Sequence, residues 1–292
     1  MNAFTIKDLE SLSGVKAHTI RIWEQRYSFL KPKRTPTNIR YYSGEELKTI
    51  LNIALLNKYG FKISSIDKMS PPEICKKLLS LTHATAQQEK LVNDLIHCMI
   101  DLDMDRFEDL LDSFIIDRGI DRAINYLVFP FLDKIGILWQ TNHIIPAQEH
   151  LVTNIIRQKL IAGMEQTNTH LSVNKTVLLF LPEGEHHELG LLYVFYLMKS
   201  RGLKVLYLGA NVPLKDLEYV LSRKKPDQLY THITCIAGNF KFDKFITQLK
   251  QHTNIPLVIS GRFTQHNLHK VPSGIIFKRS LPEVVEYVAS FK

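Results

Sequence analysis

Three acids and two histidines crowd the stretch Leu181-Pro-Glu-Gly-Glu-His-His-Glu-Leu-Gly190. Within it Glu185 and His187 stand two residues apart, and Gly190 follows three later. A neutral imidazole is a good nitrogen donor to a metal. A carboxylate beside it can hold one ring nitrogen and so orient the other. An ordinary polar loop uses the same residue types before a helix, so the spacing alone leaves both readings open. A zinc site is disfavoured, because His186 and His187 point apart and no second ligand pair lies at useful spacing. A dinucleotide site is rejected as well: the glycines are only Gly184 and Gly190, and His-His-Glu fills the phosphate position.

Trp139, followed by Glu149 and His150, forms a second group. Locally, the tryptophan reads as core and the pair as the first turn of a helix opened by Pro146. A third group is cationic, with Thr19, Arg21 and Arg26 on one short segment near the N-terminus. Arginine's planar fork can grip phosphate or guanine with two hydrogen bonds.

The elements around these residues must position them. Thr176-Val-Leu-Leu-Phe-Leu181 reads as a buried parallel strand, so the Glu185–His187 loop leaves its carboxyl end, where open α/β sheets bind ligands. From Val173 to Lys292, strands at 176–181, 203–208, 229–234, 256–260 and 274–277 alternate with helices near 187–200, 213–223, 240–251 and 281–291. This pattern predicts a doubly wound, flavodoxin-like parallel sheet with helices on both faces. Gly184–Gly190, Gly209–Pro213, Thr234–Asn239 and Ser260-Gly261 then fall beyond the strand ends. A receiver domain shares this fold but needs an acid closing its third strand, and Leu229–Thr234 ends without one.

Upstream, Glu73 to Thr167 is helical in pattern, with helices at 73–81, 85–101, 103–117, 118–139 and 146–166 and Pro130 as a kink or break. Short loops imply a four-helix bundle, with Met99, Met104, Phe107 and Phe114 as core and Asp101 to Asp112 as a solvated face. Ser70-Pro-Pro72 reads as a linker. The expected domains are therefore 1–70, 73–170 and 173–292.

The first 70 residues read as a winged helix. Thr5 caps Ile6–Leu12, Ser13-Gly14-Val15 breaks the chain, and Ala17–Tyr27 forms a second helix with Ile20 and Trp23 inward. Prolines exclude a helix over Leu30–Ser43, which reads as a basic hairpin, and Ser43 with Glu46 opens the next helix. Charge agrees with this division. Residues 1–70 carry 12 basic and 6 acidic side chains, whereas 71–172 carry 9 and 14. A basic module beside an acidic one is the asymmetry expected when a nucleic-acid-binding segment is joined to something else. Cys75, Cys98 and Cys235 are far apart and odd in number, which suggests no disulfide framework. No apolar run approaches the length of about 20 residues needed to span a bilayer. A cytoplasmic chain with no membrane partner is expected.

Thr19-Ile-Arg-Ile-Trp-Glu-Gln-Arg-Tyr27, Pro32-x-Arg34-Thr35, Arg40-Tyr-Tyr42 and Tyr59-Gly-Phe-Lys-Ile63 together resemble the winged-helix domain of MerR-family regulators. The resemblance implies double-stranded operator DNA as partner, with Thr19, Arg21 and Arg26 at the major groove. Tyr27, Arg34, Arg40 and Tyr41 would then lie on phosphates or the minor groove. Asn38 stands where that family usually has glycine. Glu185-x-His187-x-x-Gly190 resembles the motif of base-off, His-on cobalamin-binding domains, and Leu208–Pro213 their second loop. Trp139 with Glu149 and His150 resembles the helical cap of the cobalamin-dependent photoreceptor repressors of the MerR family, the CarH/LitR type. That resemblance covers the full chain. It implies a repressor, not an enzyme, which holds adenosylcobalamin between bundle and sheet and forms a homo-oligomer, dimer or tetramer, that light alters.

In this resemblance His187 is the lower cobalt ligand, Glu185 orients it, and Gly190 lets the helix start beside the nucleotide tail. Trp139, Glu149 and His150 surround the adenosyl group, while His232, Thr234, Ser260 and Gly261 border the tail. The chain departs from the subgroup at Gln140, where a histidine is usual, with His143 the nearest substitute. It departs again at His232 in a serine's place, at Thr234 in a leucine's and at Ser260 in a glycine's. These departures keep alive a regulator that uses the fold only to oligomerise. A cobalamin-dependent methyltransferase is a distant third, since a winged helix has no role there.

Overall fold

Reciprocal caps define the N-terminal elements. Thr5 and Asp8 cap α1 (Ile6–Ser13), which Gly14 closes at φ 73°. α2 (Ala17–Arg26) follows, then the antiparallel hairpin of β1 (Lys33–Arg34) and β2 (Arg40–Tyr41). Asn38 in its turn has φ 64°, so asparagine supplies the left-handed residue for which glycine is usual. Ser43 and Glu46 form a second capping box at α3 (Gly44–Lys58), and the short α4 (Ile63–Ile66) comes next. Ile20 and Trp23 are buried as expected. The structure is a computed structural model describing residues 3–140, 144–167, 172–235, 240–266 and 273–291.

Ser70-Pro-Pro72 is not a linker but the start of α5 (Pro71–Leu79). Glu73 reaches back to accept from the Ser70 backbone N–H at 2.7 Å and from its hydroxyl at 2.8 Å. The prolines occupy the first turn, where no N–H is required. α6 (Ala84–Asp101) and α7 (Met104–Arg118) follow. The helix expected over 118–139, with Pro130 as a kink or break, starts after Gly119, whose φ of 83° ends α7, and is irregular up to that proline: α8 (Ile120–Ala123) leads into a π-helical turn, Ile124–Val128. α9 (Phe129–Gln140) then begins around Pro130. That proline cannot donate to the Tyr126 carbonyl four residues back, and the Gln88 side-chain amide takes its place at 2.8 Å. α10 (Pro146–Glu165) completes the helices, with α6 packed against α3, α7 and α9. Met99 and Phe107 are fully buried, while Met104 and Phe114 are only half-buried.

The C-terminal part is a five-stranded, wholly parallel sheet built from β3 (Val173–Pro182), β4 (Leu203–Val212), β5 (Gln228–His232), β6 (Leu257–Ser260) and β7 (Ile275–Lys278). Its order, β4-β3-β5-β6-β7, is the flavodoxin-like order expected for this doubly wound fold. α11 (Leu189–Ser200), α12 (Leu214–Lys224), α13 (Phe242–His252), a short α14 (Arg262–His266) and α15 (Leu281–Ala289) complete it. α12 pairs with α13, and α11 with α15. Leu178, Phe180, Leu229, Ile259, Leu217 and Phe245 lie in one continuous core. Gly209–Pro213, expected as a loop, lies mostly in β4. The strand runs on to Val212 through a register shift, with Gly209 at φ 79° and Asn211 at φ 55°. Contacts divide the chain into two compact units, Met1–Ile156 and Arg157–Lys292. Among the described residues no helix is long and apolar enough to cross a membrane.

Candidate functional site

Burial makes Glu185 the pivot of the sheet-end site. Its side chain is 0 % exposed and its carboxylate is fully engaged. Oε1 accepts from the His187 backbone N–H at 2.9 Å and pairs with His187 Nδ1 at 2.6 Å. Oε2 accepts from the backbone N–H groups of Thr234 and Cys235, each at 2.8 Å. Burial alone would raise this acid. The hydrogen bonds from His187, Cys235 and Thr234 outweigh it and hold the carboxyl below its ordinary range. An ionised Glu185 therefore grips Nδ1 of His187, which makes Nε2 the ring nitrogen suited to a ligand. A single imidazole suits a metal that arrives with its other ligands already bound.

The neighbouring strand braces this loop. Asn211 Oδ1 accepts from Gly184 N–H at 2.9 Å, and Asn211 N–H donates to the Glu185 carbonyl at 3.0 Å. Glu188 accepts from Tyr207 OH at 2.6 Å and pairs with Arg157 at 3.1 Å. His186 is exposed, as expected. Asn211 lay within a segment singled out from the sequence, but its bracing role did not, and neither did the backbone donors at Thr234 and Cys235. A donor some 50 residues away leaves no local signal.

The structure brings Gly190, His232 and Ser260 together on one groove. A Cβ placed on Gly190 would lie 2.3 Å from His232 Nε2, so the imidazole rests directly against that glycine. His232 Nδ1 shares a hydrogen bond of 2.8 Å with Ser260 Oγ, which also accepts from Tyr230 OH at 2.7 Å. Burial pushes the His232 imidazole down to about 4, so it is neutral at pH 7. Gly261, at φ 96°, lies against the Ile233 carbonyl. Thr234 joins the site through its backbone.

On the helical unit, Glu149 is half-buried and His150 exposed, both in the first turn of α10. Trp139 and Gln140 end α9, but their side chains and the whole of His143 lie outside the described residues, as does Asn239.

The residues expected to face DNA are distributed over α2 and the wing. Arg21, Arg26 and Arg34 are exposed, and Thr19, Tyr27, Arg40 and Tyr41 half-buried. Arg34 donates to Asn38 Oδ1 at 2.6 Å across the hairpin turn, and Tyr27 stacks on Phe29 with ring centroids 5.8 Å apart. Arg40 Nε donates to Glu24 at 2.9 Å, and Tyr42 OH donates to the other oxygen of the same carboxylate. Glu24, unremarked in the sequence, thus ties the second helix to the wing and sets the angle between them. Ile22, also on α2, is 45 % exposed. Arg40→Ala is expected to weaken binding about tenfold on every duplex alike and to lower the salt slope by about 1. Titrations of two unrelated duplexes over a salt series check this, and an unchanged affinity would refute the wing contact.

The described elements are a winged helix-turn-helix, a helical segment and a flavodoxin-like parallel sheet, and two family models match, one on the first and one on the second. Residues 4–71 match the MerR HTH family of regulatory proteins, and residues 91–162 match the B12 binding domain family. The chain is homologous to two Myxococcus xanthus proteins. It is 27% identical over 267 residues to the HTH-type transcriptional repressor CarH, covering 88% of each chain. It is 26% identical over 290 residues to the HTH-type transcriptional repressor CarA, covering 96% of this chain and 94% of that one. The monomethylamine corrinoid protein of Methanosarcina barkeri shares the fold, with a TM-score of 0.53 at 10% identity, over 68% of this chain and 97% of that one.

Proposed function

We propose that this chain is a cytoplasmic, non-enzymatic repressor that binds operator DNA through residues 1–70 and is controlled by cobalamin held by the domains at 73–170 and 173–292. The observation that carries the reading is the buried Glu185 carboxylate, which fixes the imidazole of His187 at the carboxyl end of β3. That pair fits the lower face of a corrin. Adenosylcobalamin is the proposed form, and when bound it would supply a light-sensitive cobalt–carbon bond. Trp139, Glu149 and His150 are the residues assigned to its upper side. Thr19, Arg21 and Arg26 would face the major groove, and Tyr27, Arg34, Arg40 and Tyr41 the phosphates or the minor groove. Control would act through the oligomer, dimer or tetramer, because two winged helices must reach half-sites spaced by whole DNA turns. The cofactor must favour one assembly to act at all.

The imidazole of His232 in the groove beside Gly190 favours a second reading, in which the fold serves oligomerisation without a cofactor. One experiment separates the two. Protein mixed with adenosylcobalamin in the dark and desalted should keep a corrin spectrum that changes under green light, together with the oligomer. Loss of the corrin on desalting would end the first reading. Retention by His187→Ala with an unaltered spectrum would refute the ligand assignment. A spectral change without a change of oligomer would remove the photoswitch.

A further inference from the structure

The groove between the start of α11 and the ends of β5 and β6 is occupied by the protein's own side chain. Three atoms of the His232 ring lie 2.3, 2.5 and 2.7 Å from where a Cβ at position 190 would stand, so the ring fills the space that glycine vacates. Ser260, 1 % exposed, anchors the ring, and the wholly buried Tyr230 anchors Ser260. Tyr230 in turn stacks on Tyr287, so this hydrogen-bonded chain is backed by packed aromatics. Below it, the Gly261 Cα lies against the Ile233 carbonyl, and Ile233 N–H donates to the Ser260 carbonyl at 2.8 Å, which closes the floor. A planar heterocycle entering beside Gly190 would have to expel the imidazole and break its bond to Ser260, whose hydroxyl would keep Tyr230 as its remaining partner. Beside it, the Glu185 carboxylate holds Nδ1 of His187 at 2.6 Å.

We infer that His232 is a specificity-determining residue that selects corrinoids by their lower side, favouring those without a nucleotide base over cobalamin. The inference rests on the corrinoid reading above and deepens it. Cobalamin still binds, but its base must displace His232 or stay outside the groove.

The test uses the full chain in the dark, titrated separately with aquocobinamide and hydroxocobalamin, with binding read from the visible absorption shift. Cobinamide is expected to bind at least tenfold more tightly. His232→Ser should strengthen cobalamin binding at least tenfold and leave cobinamide within about twofold. His232→Asn, smaller but still able to bond Ser260, should move affinity in the same direction and covers the case in which serine unfolds the strand. Cobalamin bound by the wild type as tightly as cobinamide would overturn the inference while the corrinoid reading stands. So would a selectivity unchanged in both variants. Binding of neither corrinoid would overturn both.

Discussion

Glu185→Ala is expected to destabilise the protein by about 3 kcal/mol, because it removes a fully buried carboxylate on which four part-buried hydrogen bonds converge. The carboxylate serves His187 twice and the backbone N–H groups of Thr234 and Cys235 once each. An unsatisfied buried donor costs about 1–3 kcal/mol, and bonds to a charged acceptor lie at the upper end of that range. Glu185→Gln should recover only part of the loss, since its NH2 group would face one set of donors. Urea unfolding of the three proteins measures this, and a difference below about 1 kcal/mol would show that water replaces the carboxylate. The pH dependence has a definite sign. The folded-state pKa of Glu185 is depressed from 4.5, so its contribution is fully present above that value and is lost as pH falls through the folded one. The gap between wild type and Glu185→Ala should therefore be flat from pH 6 to 7.5 and narrow only below about pH 4.5. Because the carboxylate also orients His187, corrin affinity should fall by about 10–100-fold in either variant.

Gly261→Ala is the second substitution with a large expected effect. Its Cβ would stand 2.3 Å from the Ile233 carbonyl oxygen and 2.8 Å from the carbonyl carbon, on a backbone at φ 96°. Neither partner can yield cheaply. Ile233 N–H is bonded to the Ser260 carbonyl at 2.8 Å, and the Ile233 carbonyl accepts from Phe263 N–H at 3.1 Å. Strain in a sparsely populated backbone region costs about 1–3 kcal/mol, and forced overpacking a similar amount, so roughly 3–5 kcal/mol is expected. Gly274→Ala is the control: φ is also positive, at 75°, but its Cβ would meet only the tip of Lys250 at 3.6 Å. Thermal melts should show the Gly261 variant falling well below the Gly274 variant. Equal melting temperatures would mean that the β5–β6 connection can shift to admit a side chain.

Most of the local signals were legible in the sequence. The Thr5 cap, the Ser43–Glu46 capping pair, the inward Ile20 and Trp23 and the alternation of strands and helices from Val173 onward all depend on neighbours within a few residues. The Ser70–Glu73 box was equally local. It was misread because the two prolines that suit a helix's first turn also suit a linker. The extension of β4 through Val212 was missed because Gly209 and Asn211 look like loop residues, and only pairing with β3 makes them strand. The same limit applies to the sites. Glu185 two residues from His187 was visible as a possible pair, since that distance is set by the chain itself. Whether Glu185 would be buried and ionised depended on backbone donors supplied by a strand end far along the chain. The Glu24 tie to Arg40 and Tyr42, and the seat of His232 against Gly190, likewise arise only when distant segments meet. Sequence by itself determined which residues were available and which elements carried them, because helix caps, turns and apolar periodicity act over a few residues. Tertiary structure alone decided that the imidazole of His232 fills the groove and that the imidazole of His187 is held by a buried carboxylate. Packing and burial are properties of the residues that surround a group, and most of those are remote in the chain.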